Sequence, residues 1–209
     1  RIVFPGSRMK AYRQPSYSSS AFGGGAIPPG VKSILIACGA VFLLELIAGP
    51  ALLSLLGFQA RLAVGRLCVW QFATYIFVHD PYNWLHILFN MIMLWMFGRR
   101  LEERWGTAGF WRFFLVCGIG AAVVHLLATI LFRSPDRMMI GASGAIYGIL
   151  LAYALYWGEE VVYFNFVIPI KIKYMVLILG GIELFSSLSQ PGGGGGVAHF
   201  THLGGLLTA

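Results

Sequence analysis

Long apolar runs separated by short polar stretches set out the chain. Six follow one another, at about 33–58, 84–101, 109–132, 142–157, 174–188 and from about 197 to residue 209. A bilayer core is crossed by ~20 consecutive apolar residues in a helix, so runs of this kind predict spanning helices. The fourth run is shorter than a full crossing, and the sixth is about half of one. Gly49-Pro50 is expected to bend the first. Residues 59–83 mix Arg61, Arg66, Trp70, His79 and Asp80 with apolar neighbours and read as a long loop. Residues 1–32 carry five basic side chains and no acid, with a Ser/Gly/Pro-rich stretch from Pro15 to Gly30. That composition cannot bury a core and reads as a flexible basic tail. No internal repeat is evident.

Composition sharpens the class. Of 209 residues, 58% are hydrophobic and 11% charged, and the mean hydropathy is +0.76. A soluble domain of this size needs more charge to cover its surface, and disorder needs far lower hydrophobicity. The expectation is an all-α integral membrane protein with six transmembrane helices, the last cut short at residue 209. The net charge is +7. With the N-terminus in the cytoplasm, the inner segments hold Arg1, Arg8, Lys10, Arg13, Lys32, Arg99, Arg100, Arg104, Arg112, Lys171 and Lys173, against Arg61, Arg66, Arg133 and Arg137 outside. That bias favours a cytoplasmic N-terminus. It accounts for the positive charge, so no nucleic-acid partner is expected. Cys38, Cys68 and Cys117 are scattered and point to neither a disulfide framework nor a zinc site. No cleavable signal peptide is expected, because the first apolar run starts after residue 32.

Polar residues inside spans are costly, so each asks for a reason. His86 and Asn90, four apart, share one face of the second helix. Ser143 opens the fourth, between Gly141-Ala142 and Gly144, with Tyr147 one turn on. His199 and His202 lie near the start of the sixth. A serine at a helix N-terminus sits among unpaired N–H groups, where the negative charge of an attacked carbonyl is favoured. The polar residues before Ser143 must sit outside lipid or line a wet cavity. A serine nucleophile needs a base, which His202 or His199 can supply. Small residues at Gly144 and Gly148, and at Thr201, Gly205 and Ala209, allow the two helices to approach closely. Tyr147 can stack on the histidine. His86 and Asn90 can donate to an oxyanion, with the Ser143 amide as a third donor. Glu45, His125 and Glu183 read as isolated hydrogen-bonded interior residues. With no other acid in these spans, a Ser–His pair without a third member is the simplest reading.

These pieces resemble the rhomboid family of intramembrane serine proteases. The resemblance is carried by His86-Ile87-Leu88-Phe89-Asn90, by Gly141-Ala142-Ser143-Gly144 and by Ala198-His199-Phe200-Thr201-His202-Leu203-Gly204-Gly205. The stretch from Glu102 to Gly106 is also similar to the family's, and the likeness covers roughly residues 33–209. It implies a six-helix bundle with a water-filled cavity, Ser143 as nucleophile and a histidine as general base. His86, Asn90 and the Ser143 amide would bind the oxyanion. His202, with Gly205 three positions on, matches the family's catalytic histidine better than His199, which is left to line the cavity. Single-pass transmembrane proteins would be the substrates and membrane lipid the surroundings, in a cell (plasma) membrane. No cofactor and no metal are implied. The fifth helix and the loop after it, Pro191 with Gly192–Gly196, would gate entry. The family's Trp-Arg in the first outer loop is Trp70-Gln71 here, which removes an arginine contact but leaves the chemistry.

Three other readings compete. An inactive rhomboid-like protein that guides membrane helices would usually lack the serine or the histidine. A haem or metal protein using His86, His125, His199 and His202 lacks ligand spacings such as HExxH, and no carboxylate accompanies the histidines in the pattern. A transporter would show paired broken helices in two halves.

Overall fold

The computed structural model describes residues 26–133, 137–164, 168–189 and 196–209. The flexible-tail reading of residues 1–25 and the flexible-gate reading of residues 190–195 lie outside the described residues. The first helix, α1 (Pro29–Ala48), begins with proline in its first turn, where a missing N–H costs nothing. Its first four residues fall within the expected tail. Its N-terminus is capped from a distance. The Glu102 carboxylate accepts the N–H groups of Gly30 and Val31 at 2.6 and 2.7 Å, and Thr107 Oγ1 donates to the same carboxylate. At Gly49 the backbone turns to φ 59°, ψ −144°, and Pro50 opens a second short helix, α2 (Pro50–Leu56).

The long loop over residues 59–83 is more ordered than its composition suggests. It holds α3 (Ala60–Gly65), α4 (Gln71–Thr74) and a 3-10 turn over Tyr75–Phe77. Gln71 is buried and ties the loop down: its Nε2 donates to Ser54 O at 3.1 Å and its Oε1 accepts from the Gln59 amide. Trp70 Nε1 donates to Leu55 O at 2.9 Å. A neutral amide thus anchors α2 where the family's pattern has arginine.

The helix α5 (Trp84–Leu131) runs through the second and third apolar segments, with a break at Gly106 (φ 72°, ψ 164°). Its arms, 84–105 and 107–131, are about 33 and 38 Å long at 1.5 Å per residue, and each exceeds the ~30 Å hydrocarbon core. The chain doubles back here. A Cβ on Gly98 of the first arm would meet Phe110 of the second at 2.9 Å. The next helix, α6 (Ser143–Trp157), is only 15 residues long. It is followed by an antiparallel hairpin of β1 (Val161–Phe164) and β2 (Ile168–Lys171), with Val161 opposite Lys171. The hairpin corrects the all-α expectation: Val161, Val162, Tyr163 and Ile168 are strand formers beyond the end of the α6 apolar run. The last helices are α7 (Ile172–Ser189) and α8 (Gly196–Leu207).

Among the described residues, α1, α5 and α7 are long and apolar enough to cross a membrane. Their large side chains split between two environments. Val31, Ile34, Leu94, Leu101, Phe110, Phe114 and Ile149 are fully buried between helices, while Leu43, Ile47, Leu127, Leu131, Leu177 and Phe185 are exposed. An apolar exterior over a packed interior fits lipid as the surrounding medium. At one end, Arg100 bonds Glu160 and Tyr153 and covers the Trp157 ring at 4.3 Å. Nearby, Glu159 pairs with Lys171 and Lys173. At the other end lies the candidate site.

Candidate active site

Close helix packing builds the site. α6 and α8 meet backbone to backbone: a Cβ on Gly205 would run into the Gly144 carbonyl, and one on Gly148 would lie 3.0 Å from Gly205 O. Glycine at both positions removes the side chains that would hold the helices apart. Across this contact Ser143 Oγ and His202 Nε2 are 2.9 Å apart, a hydrogen bond from the first residue of α6 to α8. Tyr147 stacks flat on the His202 ring, with centroids 4.6 Å apart and planes 9° from parallel.

The approach to Ser143 is non-helical and pinned. Met139 exchanges both backbone hydrogen bonds with Phe58, and the Gly141 amide donates to Tyr75 O at 3.0 Å. Gly141 has φ +111°, a conformation strained for other residues. Among the described residues, no side chain caps α6. The first intrahelical bond into Ala142 O comes from the Ile146 amide, so the amides at the start of α6, Ser143 among them, have no partner of their own one turn back.

His86 closes the site from α5. A Cβ on Gly141 would meet His86 Nε2 at 2.7 Å and Ser143 Oγ at 3.9 Å, which places all three around one small space. The Asp80 amide points at His86 Nδ1 at 3.4 Å. An acceptor role for Nδ1 leaves the proton on Nε2, the nitrogen against Gly141. His79 lies beside it, with ring centroids 5.2 Å apart. Burial, and secondarily the neighbouring His86, push the His79 imidazole down to about 4, so it stays neutral at physiological pH. Asn90 is buried one turn further along, with Nδ2 donating to His86 O at 2.7 Å. Its second N–H remains for another acceptor.

Glu183 on α7 is the residue that sequence reasoning undervalued. It is buried, and three donors converge on its carboxylate. His202 Nδ1 lies 2.9 Å from Oε1, Tyr147 Oη donates to Oε1 at 2.5 Å, and His199 Nδ1 lies 2.5 Å from Oε2. The Ser–His pair therefore has a carboxylate behind it, and His199 bonds the carboxylate rather than the serine. A single acid in an otherwise apolar run was the available signal. Its partners lie on two other helices, which spacing could not reveal. This also corrects the metal argument, since a carboxylate does accompany two of the histidines. Ligand atoms of Glu183, His199 and His202 lie within 4.8 Å of one another, the one such group among the described residues. Hydrogen bonds already account for their placing. The other isolated polar residues are interior hydrogen-bonders as expected: Glu45 accepts the His79 amide, and His125 meets Thr201 at 2.9 Å.

Comparison with known proteins matches the sequence to a family. The family model "Rhomboid domain" matches residues 66–209. The chain is 28% identical over 183 residues to Rhomboid protease GlpG of Yersinia pseudotuberculosis, covering 86% of this chain and 59% of that protein. It is 27% identical over 194 residues to Rhomboid-like protein 15 of Arabidopsis thaliana, covering 88% and 45%. Over a shorter stretch of 80 residues it is 36% identical to the chloroplastic Rhomboid-like protein 11 of the same plant, covering 38% and 26%. The chain thus spans from about a quarter to three fifths of the length of these relatives. It belongs to the rhomboid family, and with its apolar helices it is a multi-pass integral membrane protein.

Proposed function

We propose that this rhomboid-family protein is an intramembrane serine endopeptidase that cleaves transmembrane helices near their outer ends. The observation that carries the reading is the 2.9 Å bond between Ser143 and His202 at the open N-terminus of α6. At about 22 Å by helix rise, α6 is too short to reach both faces of a ~30 Å core, and the ion pairs of Glu159 and Glu160 belong at the surface beside its last turn, so its first residue lies below the opposite surface. There Ser143 meets water without leaving the membrane domain.

The chemistry follows from the atoms. His202 Nε2 takes the proton of Ser143 Oγ as the oxygen attacks a peptide carbonyl. The carbonyl oxygen becomes an oxyanion, which the Ser143 amide, His86 Nε2–H and the remaining N–H of Asn90 are placed to receive. His202 then gives the proton to the departing amine, and the C–N bond breaks to leave an ester on Ser143. Water, deprotonated by the same nitrogen, hydrolyses the ester and restores the serine. A carbonyl within an intact helix is bonded and shielded, so the cleaved segment must first unwind. Helix-breaking residues near the cut favour that step.

Six spans, a cytoplasmic N-terminus and a cell membrane complete the proposal, supported by the six apolar runs, the break in α5 and the basic bias of the inner segments. Single-pass membrane proteins are the proposed substrates. The test is cleavage of a model single-span protein by purified chain in proteoliposomes, with the cut mapped by mass spectrometry. Cleavage that disappears in Ser143→Ala supports the reading; cleavage that persists in Ser143→Ala contradicts it.

A further inference from the structure

We infer that Glu183 is a positioning residue that turns the Ser143–His202 pair into a three-part relay, steadied on its far side by His199 and Tyr147. The inference rests on the proposed peptidase reading, and it adds a buried carboxylate from α7 to a site otherwise built from α5, α6 and α8.

A neutral histidine carries one proton, and only an Nε2 without it can take the proton of Ser143 Oγ. Glu183 Oε1, 2.9 Å from Nδ1, is an acceptor when ionised and selects the tautomer protonated on Nδ1. Once Nε2 takes the serine proton, the ring is a cation, and the carboxylate stands directly against it. The Nδ1 proton stays on the ring throughout, so the carboxylate directs the transfer without taking part in it.

The rest of the network makes Glu183 suited to this part. Its side chain is 8% exposed, against 25% for His202 and 35% for His199, so the acid is the buried anchor and the imidazoles are the wetter groups. A carboxylate in an apolar bundle needs its lone pairs filled. Tyr147 Oη and His199 Nδ1 fill them at 2.5 Å each. Tyr147 also clamps the His202 ring by stacking, so one residue holds both base and acid. On its own helix, the Glu183 carbonyl accepts from the buried Ser187 hydroxyl, which braces that turn of α7. His199 then has a purpose that does not require it to touch the serine. The same contacts couple catalysis to α7: displacement of that helix would carry the carboxylate away from His202.

The experiment compares wild type with Glu183→Gln, Glu183→Asp and Ser143→Ala, reading kcat and KM on a model single-span substrate. It also reads the 15N shifts of the histidine rings in detergent. A glutamine carries no charge to stand against the His202 cation, and where its NH2 faces Nδ1 it donates there, which moves the proton onto Nε2 and disables the base. Glu183→Gln should lose about 10²–10⁴-fold in kcat with little change in KM, and the His202 signal should move to the Nε2-protonated form. Glu183→Asp should recover part of the loss. Thermal melting of Glu183→Gln within a few degrees of wild type separates this effect from unfolding. Wild-type kcat together with an unchanged tautomer in folded Glu183→Gln overturns the relay while leaving the peptidase reading intact. Wild type that does not cleave, or Ser143→Ala that does, removes the reading itself, while the tautomer shift still tests the hydrogen bond. Activity lost to a chelator and restored by zinc would make Glu183, His199 and His202 a metal centre and overturn the relay; unchanged activity in chelator supports it.

Discussion

Ser143 Oγ and His202 Nε2, 59 positions apart in the chain, are held 2.9 Å from each other by a helix contact with no side chains at its centre. The distance depends on how near the α6 backbone comes to that of α8. Glycines that take no part in the chemistry themselves therefore control it, and that dependence can be tested.

Gly205→Ala should separate the helices. The new methyl group would meet the Gly144 carbonyl, a backbone atom that cannot rotate away. Overpacking of this kind costs about 1–3 kcal/mol, and a displacement near 1 Å in a reacting pair costs about 10²-fold in rate. Thermal unfolding in detergent should show a lower midpoint, and cleavage by the protein that remains folded should fall by roughly that factor. Gly39→Ala, with open space around it inside α1, should leave cleavage unchanged and should not lower the midpoint.

Gly141→Ala should damage the oxyanion side of the site while leaving the Ser143–His202 bond in place. Alanine at φ +111° is strained, and its methyl would push on His86 Nε2. Loss of one oxyanion donor lowers kcat by about 10²–10³-fold. His86→Ala should show a loss of similar size. The double variant should lose little more than either single one, because both remove the same donor. Steady-state kinetics on the four proteins checks this.

Glu102→Ala should lower stability and spare the chemistry. The carboxylate fills the Gly30 and Val31 amides at the start of α1, and removing it leaves buried donors unpaired. The cost is about 1–3 kcal/mol, read as a lower melting midpoint, with kcat per folded molecule near wild type.

How much of this was legible in advance depended on whether the information was local. The apolar runs marked the helices to within a few residues, and the α1–α2 bend was readable at Gly49-Pro50. Ser143, His86, Asn90, Tyr147 and His202 stood out as polar groups in apolar spans, and the structure gathers Ser143, His202, Tyr147 and His86 around one space. The β1–β2 hairpin was hidden because short apolar strands differ little from a helix end in pattern. Glu183 was visible as a lone acid, yet its bonds to His199, His202 and Tyr147 join three helices. No spacing along one helix encodes such a meeting. Gln71 was visible only as a departure from the family's pattern; its hydrogen bonds to Ser54 and Gln59 show the loop anchored by other means.

The most direct measurement is covalent labelling of the intact membrane protein by a fluorophosphonate, with the modified residue identified by peptide mass spectrometry. The account predicts a single adduct on Ser143, abolished in Ser143→Ala and reduced at least ~10²-fold in rate in His202→Ala, with His199→Ala far less affected. Labelling that persists in Ser143→Ala, or that needs His199 and not His202, would contradict it.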